Sequence, residues 1–290
     1  MHPTQFQYHR AASVDEAISL LDQFGPDAKI LAGGHSLLPV MKLRLAEPSH
    51  LVDIGEIPSL RGIAAAPGGG IRIGAMTTHE QIARDPLAIR HAPPLAQASA
   101  QVGDRQVRNR GTIGGAIAHA DSAADQPAAI LALDASIVAH GPSGERVIPA
   151  GDFFTGFLST ALDPDEIVVA IDIPALPARS GGSYLKLANQ ASGYAVVGVA
   201  AVVSLDGNGR CASARIGVTG AVTPAARARR AEEALAGQAL DAAAISAAAT
   251  LTSDGLDILA DLHASAEYRR RVLAGLAGRA LRAAASAASA

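Results

Sequence analysis

The chain has 290 residues, enough for one large domain or two of ordinary size with a substantial buried core. Its 24 Lys and Arg against 27 Asp and Glu give a formal charge of -3, so we expect no nucleic-acid partner and no anionic membrane surface. A hydrophobic fraction of 49% with 18% charged residues is typical of a folded globular protein and excludes intrinsic disorder.

The first half of the chain alternates short strands and helices. Ser13 and Glu16 have the capping-box spacing that begins a helix. A short strand at residues 29–32 runs into the pair Gly33-Gly34, after which Ser36 can cap a second helix. Further elements are predicted as strands at residues 50–54 and 70–75, a helix starting at Thr77 or Thr78, a helix at residues 93–102 and a polar, arginine-rich stretch at residues 104–110.

The second half contains more strands and a change of composition. Strands are predicted at residues 136–140, 146–149, 166–173, 184–188, 194–205 and 210–219, with hairpin turns at residues 142–144 and 206–209. Pro, Gly and Ser are frequent between Pro174 and Gly182, so we divide the chain into domains at residues 1–177 and 178–290. From Pro224 onward the alanine-rich chain predicts about three helices, and the run at residues 283–290 is expected to fray.

The cysteine and histidine content limits the chemistry. The single Cys211 cannot form an intrachain disulfide or hold an iron-sulfur cluster, which takes about four ligands, so redox chemistry would need an organic cofactor. No two histidines stand four residues apart beside a carboxylate, and we predict no metal site. The polar first residues and the lack of a long apolar run lead us to expect a cytoplasmic protein without a membrane span.

Two segments place a glycine pair after an extended stretch: AGGHS at residues 32–36 and TIGGA at residues 112–116. Adjacent glycines allow positive φ and let a ligand approach main-chain N–H groups, which together form a cradle for an anion such as a diphosphate. A single such pair more often forms an ordinary tight turn, and the presence of two favours the cradle. The phosphate-loop signature is absent, and the nearest dinucleotide fingerprint, at residues 207–212, lies in a hairpin, so a bound dinucleotide would not indicate a Rossmann fold.

Five ordered blocks cover nearly the whole chain: AGGHSLLPVMKLRLAEPSHLVDI at residues 32–54, IGAMTTH at 73–79, RNRGTIGGAIAHADSAAD at 108–125, the strand ending at Ile173-Pro174, and YLKLA at 184–188. In these blocks the sequence resembles the FAD-binding medium subunit of molybdenum hydroxylases, the family of aerobic carbon monoxide dehydrogenase and xanthine dehydrogenase. The resemblance implies an α+β fold, with a two-part FAD-binding domain of the vanillyl-alcohol-oxidase (PCMH) type followed by a small C-terminal domain of antiparallel sheet and helices.

The resemblance also implies which residues contact FAD. The two glycine segments would enclose its diphosphate, Asp125 would accept a hydrogen bond from a ribityl or ribose hydroxyl, and Lys186 would supply positive charge near the flavin or diphosphate. A helix-capping aspartate and a solvated strand lysine are the alternative interpretations of the last two. The implied cofactor-binding residues are Ile30, Leu31, Ala32, Gly33, Gly34, His35, Ser36, Leu37, Thr112, Ile113, Gly114, Gly115, Ala116, Asp125, Val168 and Lys186.

Some positions depart from the carbon monoxide dehydrogenase pattern. Ala116 stands where that pattern has an amide side chain, so only the main chain of this residue could contact the cofactor. Ser192-Gly193 precedes Tyr194 where the family often has Gly-Asp, which leaves open whether Tyr194 faces the flavin or is a strand aromatic. For His35 and His119 we predict a positioning function, and we assign no catalytic residue.

The function implied by the resemblance is an electron-transfer subunit with FAD as cofactor. A large partner subunit with the molybdenum cofactor would oxidise the substrate, and a small partner subunit with [2Fe-2S] clusters would deliver electrons to this chain, which would pass them to an external acceptor. Two alternatives stay open: a self-contained FAD-dependent oxidase of a small alcohol, and a non-enzymatic alanine-rich scaffold whose glycine segments are only turns.

Overall fold

The computed structural model describes residues 2–290, which form twelve α-helices and fourteen β-strands in four sheets. The strands are β1 Gln7–Arg10, β2 Ala28–Leu31, β3 His50–Asp53, β4 Ile63–Ala65, β5 Ile71–Gly74, β6 Ser136–Gly141, β7 Gly144–Pro149, β8 Phe154–Gly156, β9 Ser159–Thr160, β10 Ile167–Ile173, β11 Ser180–Ala188, β12 Ala195–Leu205, β13 Cys211–Thr219 and β14 Ala226–Arg227. The helices are α1 Val14–Phe24, α2 Leu37–Lys42, α3 His79–Arg84, α4 Pro86–His91, α5 Pro93–Ala100, α6 Arg105–Arg110, α7 Ile113–His119, α8 Gln126–Ala132, α9 Ala150–Phe153, α10 Arg229–Leu235, α11 Ala242–Thr250 and α12 Ala266–Ser289.

The first unit is a three-stranded parallel sheet in the order β1-β3-β2, against which α1 packs. The side chain of Ser13 caps α1 by accepting a hydrogen bond from the Glu16 N–H, as the sequence predicts. The sequence does not predict strand β1, because its residues are mostly exposed and it is formed by pairing with β3. This sheet carries the chain into the first glycine segment, directly after β2.

The second unit is a five-stranded antiparallel sheet in the order β4-β5-β10-β6-β7. Helices α3 to α8 connect β5 to β6, and the apolar side chains of both layers form one buried core. The helix start predicted at Thr77 or Thr78 lies at Thr78, where a complete capping box with Gln81 begins α3. The second glycine segment belongs to this connection.

The C-terminal unit is an antiparallel sheet in the order β11-β12-β13-β14. One face packs on α5 and α8 and the other on the C-terminal helices, so β12 is buried along almost its whole length. Gly217 on β13 is required here, because a Cβ at this position would lie 2.0 Å from the carbonyl oxygen of Ala128 on α8. The close approach joins this sheet to α8 and so to the helices that connect β5 to β6.

The structure corrects three expectations about local elements. The arginine-rich stretch is helix α6, capped by the Asp104 side chain on the Val107 N–H at 2.8 Å. The alanine run at residues 283–290 does not fray: α12 continues to Ser289, because the buried Ala284 packs against β11. The linker is shorter than predicted, since β11 already begins at Ser180, and the boundary between residues 177 and 178 stays a prediction. Within residues 2–290 no helix has the length and apolarity needed to cross a membrane.

Candidate functional site

A cavity of about 660 Å³ lies where the parallel sheet, the antiparallel sheet and the C-terminal unit meet. Its volume is in the range of about 300–1,000 Å³ that is usual for small-molecule and cofactor sites. Both glycine segments line it, together with residues of the loop after α5, the start of β10 and the turn before β12. The cavity is therefore the place to test the residues that the sequence nominates.

The first glycine segment is an open turn with unused donors. The main-chain N–H groups of five consecutive residues, 33–37, have no hydrogen-bond acceptor among residues 2–290, and all five residues line the cavity. Gly34 has φ +77°, a conformation that favours glycine, and a Cβ at Gly33 would lie 2.2 Å from the Arg110 carbonyl oxygen. A run of free N–H groups on a turn is the arrangement that holds a phosphate.

The second glycine segment is the first turn of α7 and not a positive-φ turn, which corrects the sequence interpretation. Thr112 caps the helix by accepting from the Gly115 N–H at 3.2 Å. The N–H groups of Ile113, Gly114 and Ala116 donate to the carbonyls of Thr77, Ala75 and Thr112. The main-chain donors of residues 113–116 are thus already paired within the protein.

The two segments lie against each other. Gly33 contacts the main chain of Arg110 and Gly111 just before the second segment, and a Cβ at Gly115 would lie 3.7 Å from the Cβ of Ala32. Ser36 occupies the position before α2, but its side chain does not cap the helix, because its own φ and ψ are helical. The expected capping by Ser36 is therefore wrong, although the expected convergence of the segments is found.

Most of the nominated residues line the cavity. Those that do are Ile30, Ala32, Gly33, Gly34, His35, Ser36, Leu37, Thr112, Gly114, Gly115, Ala116, Asp125 and Val168. Leu31 does not line it, although its neighbours Ile30 and Ala32 do. Ile113 is fully enclosed in the core, and Lys186 also lies outside the lining. The direct contacts of all sixteen with FAD stay a prediction.

Asp125 and Lys186 form a buried ion pair. The Lys186 Nζ lies 2.9 Å from Asp125 Oδ2, and the Tyr184 hydroxyl donates to Asp125 Oδ1 at 2.5 Å. Burial raises the pKa of the Asp125 carboxyl, and the bonds from Lys186 and Tyr184 oppose that rise. Both alternative interpretations are wrong: the Asp125 side chain caps no helix, and the Lys186 side chain is only 4% exposed.

The cavity is also lined by His79 and Gln126, which are not among the cofactor-binding residues that the resemblance implies. The His79 Nδ1 lies 3.1 Å from Gln126 Nε2, which as an amide nitrogen donates, so the imidazole proton is assigned to Nε2. Burial, followed by the nearby His35 and Arg108, lowers the pKa of His79 to about 4. The sequence shows His79 only as the last residue of a block, and nothing in its neighbours signals burial.

Tyr194 lies on the turn before β12 and lines the cavity, so it is not a strand aromatic. Burial, assisted by Asp121, raises the pKa of its phenol, while contact with Ser36 acts in the opposite direction. His35 and His119 line the cavity as well. Among the residues that the structure describes, no group of three or more His, Cys, Asp or Glu is placed to hold a metal ion.

The comparisons with known proteins first define the class. Residues 4–176 match the family model described as the FAD binding domain in molybdopterin dehydrogenase, and residues 182–284 match the CO dehydrogenase flavoprotein C-terminal domain. The chain is a flavoprotein with FAD as its cofactor. The free N–H groups of residues 33–37 and the size of the cavity fit a dinucleotide with a diphosphate.

Individual relatives then define the family. The chain is 42% identical over 284 residues to the carbon monoxide dehydrogenase medium chain of Hydrogenophaga pseudoflava, covering 98% of both chains. It is 40% identical over 281 residues to the 6-hydroxypseudooxynicotine dehydrogenase complex subunit alpha of Paenarthrobacter nicotinovorans, covering 97% of this chain and 95% of the relative. A solved structure of carbon monoxide dehydrogenase from H. pseudoflava superposes with a TM-score of 0.94 at 43% identity, covering 99% of each chain.

This chain belongs to the FAD-binding medium subunits of molybdenum hydroxylase-type complexes and is a flavoprotein subunit of an oxidoreductase. The predicted family, α+β fold class and FAD cofactor are confirmed. The alternative of a non-enzymatic scaffold is wrong, because the two family models match the chain from residue 4 to residue 284 with only a short gap.

Proposed function

We propose that this chain is the electron-transfer subunit of its complex. It receives electrons from [2Fe-2S] clusters on a small partner subunit and passes them to an external acceptor, while a large partner subunit with the molybdenum cofactor oxidises the substrate. The observation that carries the proposal is the run of free main-chain N–H groups at residues 33–37 on a cavity of cofactor size, in a chain with a single cysteine.

The residues of this chain would hold and orient FAD. When bound, FAD supplies redox chemistry that can join one-electron donors to a two-electron acceptor. The N–H groups of residues 33–37 would bind its diphosphate, and the Thr112 hydroxyl, which accepts from Gly115, keeps its own proton for a phosphate oxygen. Tyr194 would close the side of the cavity that faces the C-terminal unit.

The placement of the clusters on another chain is supported by Cys211. A [2Fe-2S] cluster is held by about four cysteine or histidine ligands. Cys211 is the only cysteine and is enclosed in the apolar core of the C-terminal unit, where burial raises the pKa of its thiol. A buried thiol with a raised pKa is a poor metal ligand.

The placement of substrate oxidation on another chain is supported by the two relatives. The names of these relatives concern carbon monoxide and 6-hydroxypseudooxynicotine, which are chemically unrelated, yet this chain is 42% and 40% identical to them. A subunit that bound the substrate would have to differ between such reactions. We therefore expect the large partner subunit to determine the substrate.

The proposal can be tested without knowing the substrate. The small partner subunit, identified by co-purification of the native complex, is reduced with dithionite, freed of excess reductant and mixed with this chain loaded with FAD. We expect rapid bleaching of the flavin, and none when the clusters have first been removed from the partner by chelation. Equal bleaching with and without clusters would contradict the proposal.

A second arm addresses the self-contained oxidase. The isolated chain loaded with FAD is mixed anaerobically with a panel of small alcohols in a stopped-flow instrument. We expect the flavin to stay oxidised, because the chain would depend on its partners for electrons. Rapid bleaching by one of these alcohols would overturn the electron-transfer proposal in favour of the oxidase.

A further inference from the structure

We infer that Lys186 is a positioning residue that holds the turn of residues 189–194 over the cavity, and that it does so without contacting the cofactor. The inference rests on the placement of FAD in the cavity described above. It assigns to Lys186 a different function from the direct cofactor contact that the sequence implies. The argument depends on the acceptors of the Lys186 ammonium and on the elements that carry them.

The three protons of the Lys186 ammonium are all used within the protein. The Nζ lies 2.9 Å from Asp125 Oδ2, 2.9 Å from the Gln101 carbonyl oxygen and 2.7 Å from the Gly193 carbonyl oxygen. An ammonium has three N–H donors and no acceptor, so none is left for a phosphate or a flavin oxygen. Lys186 is also outside the residues that line the cavity.

The three acceptors belong to two separate parts of the fold. Gln101 ends α5 and Asp125 precedes α8, both in the FAD-binding part, whereas Gly193 belongs to the turn between β11 and β12 of the C-terminal unit. A Cβ at Gly193 would lie 3.6 Å from the Cα of Gly103, so the turn lies directly against the loop after α5. Lys186 therefore joins the two units at the edge of the cavity.

The turn is shaped by its own hydrogen bonds, and Lys186 holds its Gly193 carbonyl. The Asn189 main chain exchanges hydrogen bonds with Tyr194 and Gly193, both at 2.8 Å, and its side-chain oxygen accepts from the N–H groups of Ala191 and Ser192. These bonds fix the shape of the turn but do not attach it to the FAD-binding part. Two bonds make that attachment: the Gly193 carbonyl accepts from Lys186, and the N–H of Ala195, directly after the turn, donates to the Ala123 carbonyl.

The other end of the bridge is also fixed. The Tyr184 hydroxyl holds Asp125, and the segment before Asp125 is bonded to the C-terminal sheet through the Ala195 N–H on the Ala123 carbonyl and the Thr219 hydroxyl on the Ser122 carbonyl. A buried ion pair with satisfied partners costs a large penalty if only one charge is removed. Loss of Lys186 should thus release the Gly193 carbonyl of the turn and leave the Asp125 carboxylate without its counter-charge.

Loss of Lys186 is expected to change FAD retention by moving Tyr194. This residue follows Gly193 and lines the cavity beside Ser36 of the first glycine segment. When the Gly193 carbonyl is held, the Tyr194 ring covers the cavity from the C-terminal side. When it is released, the ring is free to leave. Lys186 therefore acts on FAD retention through the position of Tyr194.

The chain has no tryptophan, so a single Tyr194→Trp substitution provides a specific fluorescent reporter on the turn. In the FAD-free protein we expect Lys186→Met to shift the emission of this reporter to longer wavelength and to increase its quenching by acrylamide. Lys42→Met, at the end of α2 and outside the cavity lining, is the matched control and should change neither. Unchanged reporter emission in folded Lys186→Met would overturn the inference.

A double variant tests the inference in case Lys186→Met alone prevents folding. Asp125→Asn combined with Lys186→Met removes both buried charges, which proteins tolerate better than the removal of one. This variant still lacks the bond to Gly193, so we expect the same shift of the reporter. A reporter that behaves as in the parent protein would overturn the inference.

A double-mutant cycle separates positioning from direct contact. We expect Lys186→Met to weaken FAD binding about tenfold in the parent chain and less than about twofold in a Tyr194→Ala background, because residues acting through one another are not additive. If Lys186→Met weakened FAD binding by the same factor in the parent chain and in the Tyr194→Ala background, Lys186 would contact FAD directly. That result would overturn the inference. A separate measurement identifies failure of the FAD placement itself: Gly34→Val would then retain the wild-type affinity for FAD.

Discussion

Residues 32–36 and residues 112–116 both place a glycine pair beside the cavity, and they use their main-chain N–H groups differently. In the first segment the donors of residues 33–37 have no acceptor within residues 2–290, and Gly34 has a positive φ. In the second segment the donors of residues 113–116 are paired by Thr77, Ala75 and Thr112, and neither glycine has a positive φ. One segment offers donors to a ligand, and the other is built into the protein.

The difference shows that a glycine pair can serve two physical purposes. Gly34 supplies a conformation that leaves the neighbouring N–H groups open. Gly114 supplies space, because a Cβ there would lie 2.5 Å from the Cβ of Ala75. Substitutions in the first segment should therefore act mainly on FAD affinity, whereas substitutions in the second should act mainly on the stability of the fold.

The largest expected effect is that of Gly114→Val. The added side chain meets the Cβ and the main chain of Ala75 on a buried strand end, so we expect the free energy of unfolding of the FAD-free protein to fall by about 3 kcal/mol. Urea denaturation followed by circular dichroism measures this change. Wild-type stability with loss of FAD alone would contradict the packing interpretation of the second segment.

The next effect is a pH dependence of the free energy of unfolding that arises from His79. The main-chain N–H of His79 donates to the Gly111 carbonyl, just before the second segment. The pKa of His79 falls from 6.5 to about 4 on folding, so between these values the unfolded state binds the extra proton and stability decreases as the pH falls. The loss between pH 7 and pH 4 should reach about 3 kcal/mol. Urea denaturation of the FAD-free protein at several pH values measures this loss.

The variant His79→Gln isolates this contribution, because glutamine does not titrate. The variant is expected to be less stable at pH 7 but to lose less stability than the wild type on acidification. Parallel pH profiles for the two proteins would show that another group is responsible for the pH dependence.

A smaller effect is expected for Gly34→Ala in the first segment. An alanine at φ +77° costs about 1–2 kcal/mol, and the shift of the neighbouring N–H groups should weaken FAD binding about tenfold. Gly255→Ala is a matched control, because Gly255 has φ +78°, has open space around its Cα and does not line the cavity. The control should lose similar stability and keep its FAD affinity; equal affinity in both variants would refute the cradle.

The smallest expected effects are changes of stability at the two hydroxyl residues that precede α2 and α7, Ser36 and Thr112. Thr112→Ala removes a real cap and should cost about 1 kcal/mol. Ser36→Ala should change stability by less than about 0.5 kcal/mol, because its side chain caps nothing. Thermal unfolding of both FAD-free variants tests this, and a larger loss for Ser36→Ala would reverse the comparison between the segments.

Local signals in the sequence predicted the elements that depend on near neighbours. The cap at Ser13 and the hairpin at residues 206–209 involve residues two to four apart, so their geometry follows from the sequence alone. Strand β1 could not be predicted in this way, because its mostly exposed residues carry no apolar pattern and its ladder is with β3, some forty residues later. The same applies to the alanine run of α12, which is ordered by packing on β11.

The sequence by itself determined the family, the FAD cofactor and the two segments that converge on the cavity, because these depend on residue types in a fixed order. Only the tertiary structure decided how those residues are used. Lys186 and Asp125 are 61 residues apart and are both buried, His79 is desolvated by elements far from it in the chain, and the donors of residues 113 and 114 are taken by carbonyls of the segment around β5. Burial and hydrogen-bond partners depend on contacts between distant parts of the chain, and a local sequence pattern does not encode them.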